Sequence, residues 1–362
     1  MSEPLTSIVV PTYNRAYCLP RTVDSALAQT NARVEVIIVD DGSRDETPAL
    51  VASRYGSDAR VRFIQQANGG VAVARNTGMR AAQGDYLALL DSDDIWQPWK
   101  LELQLACMRA RPEVGMTWTD MEAIDPDGNV ISPAYLRRMY SAYRWFPTSE
   151  SLFRENLPLA ELAPALASVV GGRQFSVGDL ASAMIMGNLV HTSTVVFTRQ
   201  RYQQVGDFSD QYRRAGEDYE FHLRTCRAGA VGFVDVASIK YQRGFADRIT
   251  RNENDVHFAR AFLRTISPII EKERSTIQLP PHMINAVLAE AHGWIGEASL
   301  AANDRRQAFQ HLAWSLRYDP RQPRLLGLMA VAALPSTVRG QVRSAYRSIK
   351  NRALGRSAPA GH

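Results

Sequence analysis

The sequence predicts an α/β fold, a mostly parallel sheet flanked by helices, followed by an all-α C-terminal extension. Three observations carry this. Over the first 91 residues, short β-branched apolar runs alternate with stretches of helical period in the order β-α-β-α-β-α-β. The runs are apolar along almost their whole length, the pattern of strands covered on both faces. From about residue 253 to 350 strand-like runs vanish and helical spacing takes over, broken at Pro280-Pro281.

Each element has its own signal. SIVVPTYN (7–14) reads as a strand closed by a Pro-Thr-Tyr-Asn loop. In 19–29, Leu19, Val23, Ala26 and Leu27 recur like one helix face. VEVIIVDDGS (34–43) is a second strand, ending in Asp-Asp-Gly-Ser. Residues 45–55 begin with an N-cap candidate, Asp45, and carry Pro48 in the first turn. A third strand is expected at 61–66, a helix at 70–84 closed by Gly84, and a fourth strand at 85–90. Further on, the pattern predicts a helix over 100–115, a strand over 115–125, a strand over 189–199, a helix over 217–229 and a strand over 232–243. Residues 127–180 are rich in Pro and aromatics and read as loops or short helices. WIGEASLAANDRRQAFQHLAWSLRYDP (294–320) resembles a tetratricopeptide-type helix pair, with Ala298, Ala302 and Ala308 at close-packing positions. The boundaries that follow are 1–250 for the α/β region, with halves of about 1–100 and 101–250. Helices occupy 251–350, and 351–362 is a basic tail expected to be disordered.

Composition excludes several classes. At 45% hydrophobic and 22% charged, the 362 residues can bury a core and are neither fibrous nor disordered as a whole. Cys18, Cys107 and Cys226 are scattered, which argues against a disulfide framework or a cysteine zinc site and for a reducing, cytosolic setting. The N-terminus lacks the basic and apolar regions of a signal peptide. No run reaches the roughly 18 apolar residues that span a bilayer. Leu325–Leu334 is interrupted by Gly327 and stopped by Pro335. The net charge of +5 is uneven: Arg321, Arg324, Arg339, Arg343, Arg347, Lys350, Arg352 and Arg356 follow residue 320 with no acid among them. This tail is either a solvated surface helix with a frayed end or a contact for anionic lipid headgroups on the inner membrane face. No nucleic-acid partner is expected, because no basic module interleaved with aromatics is present.

Right-handed crossovers put the loops after parallel strands on one sheet edge, where ligands bind. The polar ends PTYN, DDGS and DSDD should therefore converge on one cleft. There, Asp91-Ser92-Asp93 offers hard oxygen ligands one residue apart, which in an extended or tightly turned backbone face the same side. Mn²⁺ or Mg²⁺ suits such a set, because it keeps waters and phosphate oxygens beside few carboxylates. Taken alone, the triplet is equally a solvated turn.

The segments SIVVPTYNR, VIIVDDGSRDET, NGGVAVARNTGMRAAQGDYLALLDSDDIWQPWKL and GEDYEFHLR occur in this order over about residues 5–245. Together they resemble the inverting family 2 glycosyltransferases, nucleotide-diphospho-sugar transferases of the GT-A fold that build bacterial cell-surface polysaccharide. The resemblance implies that Pro11, Thr12, Tyr13 and Asn14 hold the nucleotide base, with Tyr13 stacked on it. Asp41, or alternatively Asp40, would accept a hydrogen bond from the base. Arg75 and Asn76 would lie near the nucleotide or donor sugar. Asp91 would reach the ribose or the metal's waters, and Asp93 would bind the metal that bridges the diphosphate. Asp218 would be the general base, with Glu217 beside it. His191 would line the acceptor side, or else be a core or surface histidine. Plainer roles exist for the others: core packing for Tyr13, turn capping for Asp40 and Asp41, and a first helical turn for Glu217-Asp218.

The likeness has departures. Many relatives place a His after a Tyr-Arg pair near the end of the catalytic domain; here the segment is IKYQRGFADRIT, so a third metal ligand is missing from the pattern. The QxxRW motif of processive synthases is absent, which points to single addition. The expected function is metal-dependent inverting transfer of a sugar from a nucleotide-diphosphate donor, UDP-linked by preference, to a hydroxyl of a glycan or lipid-linked glycan. A nucleotidyltransferase is the rival enzyme, but PTYNRAY lacks its Gly-rich phosphate loop. A non-catalytic glycan- or protein-binding scaffold is the second rival.

Overall fold

A computed structural model describes residues 3–30, 33–212, 215–244 and 255–333. They form two compact units. The first holds the described residues up to 244 together with 268–278, and the second holds 255–267 and 279–333.

The first unit opens as β1 (Leu5–Thr12), α1 (Leu19–Leu27), β2 (Arg33–Asp40), α2 (Thr47–Tyr55), β3 (Val61–Gln65), α3 (Val71–Ala81) and β4 (Tyr86–Leu89). It continues with β5 (Ile95–Trp96), α4 (Lys100–Ala110), β6 (Met116–Ile124), β7 (Val130–Ser132), α5 (Leu136–Met139), β8 (Glu155–Pro158), α6 (Leu159–Leu162), α7 (Ala167–Val170) and β9 (Gln174–Gly178). It then runs through β10 (Val196–Thr198), α8 (Arg199–Val205), α9 (Glu217–Arg227) and β11 (Val231–Gln242). The strands lie in the order β3-β2-β1-β4-β10-β6-β11-β9-β8, with β5 on β11 and β7 on β6. The first four are parallel, as the apolar runs predict. Beyond them the sheet is mixed: β10 runs antiparallel to β4 and β6, while β6 and β11 are parallel.

Ile8, Val9, Val10, Val36, Ile37, Ile38 and Val39 are fully buried. Each such side chain contributes about 1.5–3 kcal/mol of hydrophobic stabilisation before entropy is counted. Gly78 lets α3 lie directly on β1: a Cβ there would stand 2.3 Å from Val9 Cγ1.

Several expectations shift. The predicted strand 189–199 contracts to β10, because Thr194 turns its hydroxyl and its N–H back onto His191 O, at 2.6 and 3.0 Å. Short polar side chains compete with the ladder in this way. The helix expected over 100–115 stops at Ala110, since the residue before Pro112 is pushed out of the helical region. Gly84 does not cap α3, which ends at Ala81; a Cβ there would lie 2.6 Å from Leu5 O, so the glycine serves a close approach. The unpatterned stretch 127–180 holds three short strands, β7, β8 and β9, as well as short helices.

α10 (Asp255–Glu273) divides between the units at Pro268, which removes one N–H from its ladder. In the second unit, α11 (Pro281–Ala301), α12 (Arg305–Tyr318) and α13 (Pro323–Ala333) follow. The helix pair is longer than 294–320 suggested. Its close approach is made by Gly296, whose added Cβ would meet Leu312 at 2.8 Å, and by buried Ala308; Ala302 is exposed. Asp304 caps α12 by accepting Gln307 N. No described helix is long and apolar enough to cross a membrane. The tail 351–362, and with it Leu334, Arg339, Arg343, Arg347, Lys350, Arg352 and Arg356, lies outside the described residues.

Candidate active site

Hydrogen bonds bind the ends of β1 and β2 together. Asp41 N donates to Thr12 O, and Asn14 exchanges bonds with the next loop: its N–H reaches Ser43 Oγ and its Oδ1 accepts Arg44 N, both at 2.8 Å. This holds Asn14 in the left-handed region at φ 52°, which asparagine tolerates better than most residues. Pro11 and Thr12 are buried, whereas the Tyr13 ring is 44% exposed and is therefore not core packing. Among the described residues, the buried Thr12 Oγ1 has no hydrogen-bond partner.

Asp40 and Asp41 are buried and organise loops. Asp40 accepts Ser43 N at 3.0 Å and Gln65 Nε2 at 3.3 Å. Asp41 accepts Gly69 N, Gly70 N and Gln66 Nε2 at 2.8–2.9 Å. A carboxylate offers about four lone-pair sites, so Asp41 has room for one further donor.

The acids after β4 differ. Ser92 O is pinned by Thr22 Oγ1 at 2.9 Å and Cys18 Sγ at 3.4 Å, and Asp94 N closes a turn on Asp91 O. The backbone turns here, and Asp91 and Asp93 face different arginines. Asp91 Oδ1 takes Arg75 Nη2 at 2.8 Å, while Asp93 Oδ2 stands 3.8 Å from Arg15 Nη2. Asp94, which the sequence reasoning passed over, is buried and faces His191 Nε2 at 3.4 Å through Oδ2. Its buried Oδ1 has no partner among the described residues.

Arg75 joins this group to α9. Its Nη1 lies 3.2 Å from Glu217 Oε1, and its guanidinium sits 5.3 Å over the Phe208 ring. Asn76 does not share the cluster's acids: both ends of its amide bond the backbone of Phe208 at 2.8 Å, which fixes that loop. Gly216, left-handed at φ 88°, starts α9 and puts Glu217 and Asp218 in the first turn, where the helix dipole favours negative charge. Asp218 accepts Tyr219 N at 2.7 Å and stands 3.5 Å from Asn188 Nδ2. Tyr140, in the stretch without pattern, places its hydroxyl 3.2 Å from His191 Nδ1.

These groups perturb one another. Burial, then the Asp218 charge, push the Glu217 carboxyl up to about 7, against the pull of Arg75. Burial also raises Asp218, opposed by Arg75. Burial alone would raise Asp91, but Arg75 outweighs it and holds that carboxyl below the usual range. Burial works against a charged His191, yet its hydrogen bond to Asp94 and the nearby Asp91 and Asp218 charges raise it. Perturbed acids gathered in one place mark sites of chemistry.

Among the described residues, no group of three or more His, Cys, Asp and Glu side chains is arranged as a metal site. The residues nonetheless suit a hard cation that keeps most of its ligands from water and phosphate. Asp93 is about a quarter exposed, and Asp94 Oδ1 is an unsatisfied buried oxygen in the same turn.

Residues 7–157 match the family model described as glycosyl transferase family 2. The chain is 42% identical over 138 residues to a chondroitin synthase of Escherichia coli, covering 38% of this chain and 20% of that protein. It is 40% identical over 132 residues to a hyaluronan synthase of Pasteurella multocida, covering 36% and 14%. The chain thus spans a fifth or less of the length of these two synthases. An uncharacterized glycosyltransferase of Rickettsia typhi is 40% identical over 239 residues, 66% of this chain and 64% of that one. Among solved structures, S. aureus TarS superposes with a TM-score of 0.53 at 18% identity over 95% of this chain and 53% of its own. The mannosyltransferase PcManGT from Pyrobaculum calidifontis, in complex with GDP-Man and Mn²⁺, superposes at 0.50 with 18% identity over 94% and 84%. The fold is GT-A, and residues 7–157 are a match to glycosyl transferase family 2.

Proposed function

We propose that this chain is a glycosyltransferase that moves a sugar from a nucleotide-diphosphate donor, UDP-linked by preference, to a hydroxyl of a growing glycan, with inversion. The observation that carries this is the cluster at the sheet's carboxyl edge, where Arg75 bridges Asp91 to Glu217, beside Asp218 and His191.

Each residue has a physical task. Tyr13 offers an exposed ring on which a base stacks. Asp41 keeps one acceptor site for an imide N–H, and Asp40 is the alternative. Asp91, ionised by Arg75, faces the ribose. Asp93, with Asp91 behind it, would hold Mn²⁺ or Mg²⁺, which supplies charge neutralisation for the departing diphosphate. PcManGT, bound to GDP-Man and Mn²⁺, lends support by its fold. Asp218 takes the proton from the acceptor hydroxyl, a contribution worth roughly 10²–10⁴-fold. Attack from the face opposite the diphosphate inverts the anomeric centre. Glu217 and Arg75 position Asp218 without touching substrate, and Asn76 holds the Phe208 loop in place of a nucleotide contact. Domain boundaries of 1–250 and 251–350 belong to the same proposal, as does contact of the basic tail with anionic lipid. For the tail, equal flotation with anionic vesicles with and without residues 321–362 would end the idea.

The test is a thermal-shift screen of nucleotide sugars with Mn²⁺, followed by donor hydrolysis. A UDP-sugar is expected to raise the melting temperature by mass action. Hydrolysis should vanish on chelation and in Asp93→Ala. A chain that binds no nucleotide sugar under these conditions is not this enzyme.

A further inference from the structure

Next to the acid cluster runs an aromatic wall that the reaction as described leaves unused. Tyr135 and Tyr241 stack with ring centroids 5.9 Å apart and planes 21° apart. Tyr241 meets the His191 ring edge-on at 5.1 Å, and Tyr140 follows at 6.4 Å, tied to His191 by its hydroxyl. Tyr140 is near enough to Asp218, Asp91 and Asp94 for their charges to act on its hydroxyl. Through His191, which faces Asp94 at 3.4 Å, the wall borders the acid cluster. Its other end is Arg243, exposed, with Cζ 5.4 Å over the Tyr135 ring. Among the described residues, its guanidinium makes no ion pair.

The backbone builds this array deliberately. Asp120, buried, accepts Tyr135 N, Leu136 N and Met121 N at 2.7–3.2 Å. Those bonds fix the segment that carries Tyr135 and starts α5, and Tyr140 follows directly after α5. On the neighbouring strand, β11 slips register against β6 twice between Val234 and Ile239, opposite Asp120, just before Tyr241. Such irregularities re-aim side chains next to functional sites. Arg243 N is anchored on Ile124 O at 2.8 Å.

We propose that Tyr135 and Tyr140 with Arg243, backed by the buried Tyr241, form the acceptor subsite and that its occupant is an acidic saccharide. Sugar rings present C–H faces that lie flat on tyrosine rings, which bury large area at low entropic cost. A phosphate or carboxylate on the acceptor meets Arg243, whose planar fork suits either anion. The terminal hydroxyl then lies between Tyr140 and Asp218. The inference rests on the glycosyltransferase reading, since it assigns the second substrate of that site.

The test uses an array printed with neutral, uronate-bearing and phosphate-bearing oligosaccharides, probed with the full chain. Wild-type protein is expected on the uronate or the phosphate spots, and which of the two tells the anion's source. Tyr135→Ala should lower that signal about tenfold and Tyr135→Phe should restore it, since the ring and not the hydroxyl is needed. Arg243→Gln should erase the preference for charged over neutral spots. Melting curves by circular dichroism verify that the variants fold. Binding unchanged in folded Tyr135→Ala and Arg243→Gln overturns the proposal. So does wild-type protein that binds a UDP-sugar with Mn²⁺ yet captures no saccharide. Failure to bind any nucleotide sugar falls instead on the glycosyltransferase reading.

Discussion

Two acid pairs look alike in sequence and are opposite in physical state. Asp40-Asp41, after β2, is met by five donors, three of them backbone N–H groups. Glu217-Asp218, at the head of α9, meets one shared guanidinium, one backbone N–H and a long amide contact. The first pair is part of the loop architecture. The second is short of donors, close to like charge and raised toward neutrality. Carboxylates saturated by backbone build a site, while those left partly unsatisfied are available to act in it.

The comparison can be broken most directly at Asp218. Asp218→Asn is expected to lower the transfer rate by roughly 10²–10⁴-fold, the worth of a general base. Its melting temperature should hold or rise, because one member of a repelling pair becomes neutral. A large loss of stability with little loss of rate would reverse the roles given to the two pairs.

Asp41→Ala should do the opposite. It strands Gly69 N and Gly70 N without an acceptor and is expected to cost about 2–6 kcal/mol, at roughly 1–3 per unsatisfied group. Urea unfolding measures it; an unchanged midpoint would show that water replaces the carboxylate.

Glu217 gives a pH signature. Its carboxyl rises in the folded state to about 7 from an ordinary 4.5. The folded chain therefore binds more protons between these values, and stability falls as pH climbs through that window. Glu217→Gln should be more stable than wild type at pH 8 by about 1–3 kcal/mol, with the gain shrinking toward pH 5. A pH-independent difference would mean that loss of the Arg75 contact governs the variant.

The smallest effect is expected at Thr12, whose buried hydroxyl has no partner among the described residues. Thr12→Val keeps the shape and should be neutral or stabilising by up to about 1 kcal/mol. If nucleotide binding weakens while the melting temperature holds, the hydroxyl serves the donor.

Much of the first unit was legible from residues alone. β1 to β4 and the helices between them follow from local period and turn chemistry, and the convergence of their ends follows from crossover handedness. In the mixed second half β6, α9 and β11 were legible as well, but β8, β9 and the contracted β10 were not, because they are three to five residues long, too short for a period to declare itself. Asp91 and Asp93 were readable as site candidates from their place at a strand end, and Glu217 and Asp218 through the family resemblance. Asp94 and Tyr140 were not. Asp94 stood in the same acidic run but lacked the expected spacing, and Tyr140 had no local pattern.

Residue order alone sets the sheet's parallel half, the edge where its acids gather and the family model that residues 7–157 match. These rest on interactions between residues near in the chain, which leave a periodic trace. It takes the folded chain to bridge residues 91 and 217 with Arg75, to hold Asp41 with Gly69 and Gly70, and to join Asp94 to Tyr140 through His191. Those pairings link positions up to 142 residues apart. They depend on which loops the finished sheet brings within hydrogen-bond reach, and no local pattern encodes that distance.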